Sequence, residues 1–301
     1  KKHLNKYDVI HIDVQWFLSS CADIKSIISY ITQSVFEELK EYYPEVLPNE
    51  VLTLADALSR IRNSTGQKFI VIIDEWDILI RDEATNKAVQ EEYIYFLRGL
   101  FKGTEPTKYI QLAYLTGILP IKKEKTQSAL NNFDEFTMVS ASTLAPFIGF
   151  TEEEVKGLCE EYAMNFEEVK AWYAGYDLIS HSRFGDKRYS IYSPKSVVEA
   201  MLRHKFGTYW NRTETYEALK IYIQMNMDGL KDSVIQMLAG EGVRINTGTF
   251  SNDMTTFATK DDVLTLLVHL GYLTYNSETE KVTIPNKEVS QEYVNAISTM
   301  D

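Results

Sequence analysis

The sequence has little of what marks several large protein classes. Two cysteines, Cys21 and Cys159, stand far apart in 301 residues. That is too few for a disulfide framework, and two buried thiols in a reducing cytoplasm are the expectation. No apolar run approaches the roughly 18 residues that a membrane-spanning helix needs. The opening KKHLNKYDVIHIDV has neither the apolar block nor the small-residue cleavage site of a secretory leader. The five histidines, His3, His11, His181, His204 and His269, show no paired ligand spacing, which argues against a zinc site. No Ser/His/Asp or Cys/His arrangement stands out, and there is no internal repeat or low-complexity segment. Positive charge is also short: 31 Lys and Arg against 43 Asp and Glu give a net charge of −12. Broad binding to a phosphate backbone is therefore disfavoured. Local basic spots such as Lys122-Lys123 and Arg203-His204-Lys205 survive that argument.

What remains is an ordinary globular composition, 45% apolar and 25% charged, long enough for two or three compact units. The β-rich stretch YDVIHIDV ends on an acid. The block from Cys21 to Tyr43 follows, with Ile24, Ile27, Ile28, Ile31, Val35 and Leu39 at helical spacing. A second helix is expected near Glu50 to Arg62, stopped by Thr65-Gly66. Lys68 to Ile73 then reads as a buried strand of a parallel sheet. A helix over about Thr85 to Phe101 leads to another apolar strand, YIQLAYLTGI, and EFTMVS is a shorter strand candidate. Strand and helix in alternation describe a parallel α/β sheet with crossover helices. Ligands of such sheets sit at the carboxyl ends of the strands, where Asp74, Glu75 and Thr116 all fall.

From Ala145 onward the character is helical. Thr151 and Glu154 form a capping-box pattern, FEEVKAWYAGY is a second short helix, and SHSRFGDKRYSIYSP is a polar loop or hairpin. KDDVLTLLVHLGYLTYNSETEKVTIPN reads as a helix followed by two short strands around a polar turn, as in a winged-helix unit.

The stretch FIVIIDEWDILI carries the chemistry. An Asp closing a buried strand can hold Mg²⁺ and a Glu beside it can polarise an attacking water, as in phosphate-transferring ATPases. An acidic loop start after any buried strand gives the same pattern. Thr116 can orient a phosphate or a water from the neighbouring strand, or simply precede a turn. Asp77 can support the metal shell or cap the next segment. Asp13 can line the same crevice or open a loop. Lys122, Lys123 and Lys125 can approach a polyphosphate or face solvent. The partner motif G-x-x-x-x-G-K-S/T, whose amides and lysine cradle phosphates, does not occur. Gly66-Gln67-Lys68 leads into a strand, and Gly103 to Lys108 lacks the second glycine.

Read in order, VIHIDVQWF, VIIDEWD, AYLTGILPI, FIGFTEEEVKGL, AWYAGYDL, IYSPKSVVEAML, GTYW, LGYLTY and VTIPNKEV closely resemble the bacterial AAA-ATPase-like family. Members of that family usually carry a C-terminal PD-(D/E)XK-type nuclease domain. The resemblance implies a partial P-loop-type parallel sheet with crossover helices, then a helical lid and a C-terminal winged-helix-like unit. The expected limits are 1–145 for the ATPase-like core, 146–210 for the lid and 211–301 for the winged-helix-like unit. It also implies that this chain is an internal segment, lacking both the family's phosphate loop and its nuclease domain.

Carried over residue by residue, the resemblance implies ATP and Mg²⁺ as cofactors. Asp74 falls on the Walker B aspartate and metal ligand, Glu75 on the water-activating acid, Asp77 on the second aspartate of a D-E-Y-D pattern and Thr116 on the sensor threonine. Trp76 stands where tyrosine is commoner, and no arginine finger is apparent after Thr116. ATP hydrolysis in the full-length protein is the implied activity, with binding weak or absent in these residues alone. A degenerate scaffold that docks protein or nucleic acid is the alternative. Nucleic-acid contact through the winged-helix-like or nuclease domain and a homo-oligomer are the further partners left open, and no membrane is expected. A metal-dependent nuclease site here is disfavoured, because the Glu-x-Lys pairs Glu154/Lys156 and Glu168/Lys170 lie on helical segments.

Overall fold

The computed structural model describes residues 2–81, 86–118, 130–181, 183–210, 223, 227, 229–250 and 257–298. Lys122, Lys123 and Lys125 lie outside the described residues. The chain forms two compact units, Lys1–Glu135 and Phe136–Asp301.

The first unit is built on β1 (Asp8–Asp13), β2 (Phe69–Asp74) and β3 (Ile110–Leu115), three parallel strands in the order β1-β2-β3. Parallel neighbours need crossovers. Here α1 (Val14–Ser20), α2 (Ile27–Tyr42) and α3 (Leu54–Thr65) join β1 to β2, while α4 (Ile78–Arg81), α5 (Lys87–Phe101) and α6 (Pro106–Tyr109) join β2 to β3. The helical stripe of α2 is buried as its spacing requires, at Ile27, Ile28, Ile31, Val35 and Leu39. Full burial of Ile27 or Ile31 is worth about 1.5–3 kcal/mol each. Ile24 sits instead in a separate 3-10 turn, Ile24–Ser26, capped by Asp23. Thr53 caps α3 by accepting from the Asp56 amide at 3.2 Å. Gly66 closes that helix at φ +79°, a backbone position suited to glycine.

The register aligns Asp8 with Phe69 and Asp13 with Asp74, so two strands end level on acidic residues. Phe69, Val71 and Ile73 of β2 are buried while Ile70 and Ile72 are half-covered. β3 is more open, with Leu112 55% and Tyr114 47% exposed. The apolar run of β3 is therefore not buried on both faces among the described residues, where β3 pairs only with β2.

In the second unit β4 (Phe150–Thr151), β5 (Tyr176–Ser180) and β6 (Lys187–Tyr192) form an antiparallel sheet ordered β4-β6-β5. Around it stand α7 (Glu152–Glu161), α8 (Phe166–Tyr173) and α9 (Pro194–Arg203). Thr151 and Glu154 make the capping box in both directions at the start of α7. EFTMVS is not a strand. Thr137 and Ser140 exchange backbone hydrogen bonds of 3.0 Å and the Thr137 hydroxyl accepts from the Ser140 amide, closing the segment on itself as a tight turn.

Further along come α10 (Leu230–Leu238), β7 (Val243–Arg244), α11 (Lys260–His269), β8 (Thr274–Asn276), β9 (Lys281–Thr283) and α12 (Lys287–Ser298). The three strands are antiparallel in the order β7-β9-β8. Helix α11 is buried almost all round from Asp262 to Val268, as befits a core helix. Gly175 is required here: at φ +101°, an added Cβ would lie 1.9 Å from the Pro285 carbonyl oxygen. Among the described residues no helix is long and apolar enough to cross a membrane.

Candidate functional site

The carboxyl ends of β2 and β3 bring Asp74, Glu75, Asp77 and Thr116 together. The ladder runs past the strands: the Thr116 amide donates to the Ile73 carbonyl, and the Trp76 amide to the Thr116 carbonyl, each at 2.9 Å. These bonds fix the two chain turns against each other. Asp74, at the exposed tip of β2, accepts at Oδ1 from the Thr116 hydroxyl and from the Glu75 amide, the latter at 3.0 Å. The two acids are adjacent in sequence and would alternate faces on a strand. That alternation stops at Asp74, because Glu75 turns at φ +52°, in the left-handed region. A non-glycine residue held there stores strain of order 1–3 kcal/mol, a feature that clusters at functional sites.

An ion-pair network holds that turn. Arg81, at the end of α4, reaches the Glu75 carboxylate at 2.5 Å and the Asp77 carboxylate at 3.3 Å. Asp77 is only 1% exposed and also accepts from the Ile118 amide at 3.2 and 3.3 Å. It therefore lies beneath the turn, tying α4 to the segment after β3. The buried Tyr93 of α5 faces the same carboxylate. Burial first, and the Asp77 charge second, hold its hydroxyl well above the usual tyrosine range.

Gly117 fits this packing because it lacks a side chain. An added Cβ would lie 2.4 Å from Asp77 Oδ1 and 2.7 Å from the Trp76 ring. Asp13 lies at the level of Asp74 but its side chain caps α1, accepting from the Trp16 amide at 2.9 Å. Arg81 is marked by no sequence motif, and Gly117, though it stands in AYLTGILPI, has nothing in that motif that points to Asp77. Arg81 could be found only from its placement on the first helical turn after the acids.

Among the described residues no group of three or more His, Cys, Asp or Glu is arranged to hold a metal. Mg²⁺ does not need one, since it is commonly held by one or two carboxylates, with water and substrate phosphate filling the other positions. Asp74 presents one exposed carboxylate at the strand tip, with the Thr116 hydroxyl on its Oδ1.

Residues 1–126 match the family model described as Predicted AAA-ATPase. The chain is also similar to an uncharacterized protein in the vnfD 5'region of Azotobacter chroococcum mcd 1. The two are 26% identical over 153 residues, covering 50% of this chain and 28% of that protein. The matched part thus spans little more than a quarter of the relative's length.

Proposed function

We propose, from the match of the first 126 residues to predicted AAA-ATPases, that the β2–β3 ends form the metal-and-water side of an ATPase site. The observation that carries this reading is the joint placement of Asp74, Glu75 and Thr116 at the carboxyl ends of adjacent parallel strands, with the Thr116 hydroxyl on Asp74. Ligands of parallel α/β sheets bind at that edge.

In this reading Asp74 holds Mg²⁺, which when bound supplies charge neutralisation on the transferred phosphates. Glu75 takes the proton of a water attacking the γ-phosphate in line. Thr116 orients Asp74 through its hydroxyl and senses the phosphate from β3. Asp77 works from below, shaping the Asp74–Trp76 turn through Arg81 and the Ile118 amide. The Arg81 guanidinium is ion-paired with the Glu75 carboxylate, so that pair opens or loosens for Glu75 to reach a water.

The phosphate cradle is not contributed by these residues. The half-exposed Leu112 and Tyr114 of β3 fit a sheet that continues beyond it, leaving room for a strand that carries a phosphate loop. By the same reading residues 146–210 are a lid and 211–301 a winged-helix-like unit, and a nuclease-type domain follows in the full-length protein. Helices α10 and α11 with the β8–β9 hairpin support the winged-helix assignment, and nucleic acid is the partner it suggests. A homo-oligomer is compatible with the AAA-type match.

The test is Mg-ATP turnover by the full-length protein with Asp74→Asn. Loss of turnover, restored in part by raised Mg²⁺, is expected. Unchanged turnover and Mg²⁺ dependence would remove Asp74 from the site. The 301 residues alone are expected to bind Mg-ATP more weakly than micromolar.

A further inference from the structure

The opposite end of the first unit carries a groove that the nucleotide reading does not use. It encloses about 400 Å³ and is lined by every residue from Tyr7 to His11. Successive residues of a strand point to opposite faces. A cavity touching five in a row therefore reaches the open edge of β1 as well as the face covered by α2, where Phe69 of β2 lines it. β1 is an edge strand, and among the described residues its second side carries no strand. The four lining residues that belong to β1, Asp8 to His11, span about 13 Å, enough for a short extended segment to lie alongside.

The chemistry of the walls selects the occupant. The floor is apolar, with Ile10, Val35, Leu39 and Phe69 buried. The rim holds two carboxylates, Asp8 and Glu38, and three tyrosines, Tyr7, Tyr42 and Tyr43. Among the described residues no lysine or arginine lines it. Tyr43 is fixed by donating its hydroxyl to Asp8 and by packing edge-on against Phe69 at 6.4 Å. Burial, followed by the Asp8 hydrogen bond and charge, pushes the Tyr43 hydroxyl up to about 12. Tyrosine faces beside carboxylates attract ammonium and guanidinium groups. Apolar residues alternating with cations would place one set on the floor and the other at the rim.

We propose that this groove binds an extended peptide segment in which arginine or lysine alternates with apolar residues, added as a strand to the free edge of β1. Strand addition supplies affinity through main-chain hydrogen bonds and specificity through alternate side chains.

The test is fluorescence anisotropy of a labelled arginine–valine alternating nonapeptide against the 301-residue chain. Two further peptides serve as comparison, one with glutamate for arginine and one with alternate amides N-methylated, and the arginine–valine peptide is also measured on variants of the chain. Glu38→Gln and Tyr42→Ala lie on exposed positions of α2 and leave the fold intact. Each is expected to weaken binding about threefold, and the pair about tenfold. Glu153→Gln, on the exposed first turn of α7, removes the same charge far from the groove in sequence and should leave affinity unchanged. Binding of the glutamate peptide equal to the arginine one would overturn the charge argument. Equal binding of the N-methylated peptide would overturn strand addition. Absence of binding, or equal losses in Glu38→Gln and Glu153→Gln, would overturn the site.

Discussion

Replacing Gly117 by alanine tests whether the segment after β3 is locked onto the Asp77 network. The new Cβ would stand 2.4 Å from Asp77 Oδ1 and 2.7 and 2.8 Å from two atoms of the Trp76 ring. Neither neighbour can swing away into solvent, since Asp77 is 1% and Trp76 5% exposed. Relief must come from the backbone, which would stretch the Ile118 amide bonds to Asp77 and shift Thr116 off Asp74. Overpacking of a filled site costs about 1–3 kcal/mol, and weakening a hydrogen bond to a charged group costs about as much again. A total near 3 kcal/mol would lower the melting temperature of the first unit by about 10 °C. Thermal unfolding followed by circular dichroism reads this directly. Gly99→Ala is the matched control, because it lies in α5 with nothing within 4 Å of its Cβ. That change should stabilise by about 0.5–1 kcal/mol. Equal melting temperatures for Gly117→Ala and wild type would refute the packing argument.

Three further predictions bear on the same framework. Arg81→Ala removes the guanidinium that meets the buried Asp77 carboxylate, which keeps its bonds from the Ile118 amide. Urea midpoints should report a loss of about 1–3 kcal/mol, moderated because Arg81 is partly exposed; no loss would show that the pair is idle. Thr116→Val removes the hydroxyl on Asp74 at nearly constant shape. Stability should move by less than about 1 kcal/mol while Mg-ATP turnover of the full-length protein falls, and unchanged turnover would remove Thr116 from the site. In the second unit, burial raises the Glu288 carboxyl above its usual range, opposed by hydrogen bonds from the Tyr209 amide, Ser196 and the Trp210 amide. The folded state thus keeps that proton to higher pH than the unfolded chain. Its stabilising contribution is full below the ordinary carboxylate range and is lost as pH rises through the raised value. Glu288→Gln retains an oxygen for both amides and should flatten that fall in urea midpoints across pH; an unchanged slope would exclude Glu288 as its source.

The elements that were legible in the sequence are those whose burial has a period. The isoleucine stripe of α2 and the run Phe69–Ile73 announce themselves because water exclusion from one face dictates the residue type at each step. Asp74 and Glu75 were legible for the complementary reason, as charges placed where an apolar run ends. EFTMVS misleads because short β-branched and aromatic stretches also suit a turn that bonds to itself, as Thr137 and Ser140 do. The support of the site was not legible at all. Arg81 acts six residues from Glu75 across a turn, and Gly117 matters through a contact with Asp77, 40 positions away along the chain, that only the β2–β3 pairing creates. The groove beside β1 is equally a product of pairing, since it depends on which strand is left at the edge.

In the function proposed above, Asp74, Glu75 and Thr116 form the metal-and-water side of a nucleotide site. Its most direct test is steady-state Mg-ATP turnover and ATP affinity of the full-length protein, wild type against Glu75→Gln. Turnover should be lost while ATP affinity is retained, because glutamine keeps the shape of the turn but cannot accept the proton. Equal turnover by the two proteins would contradict the account.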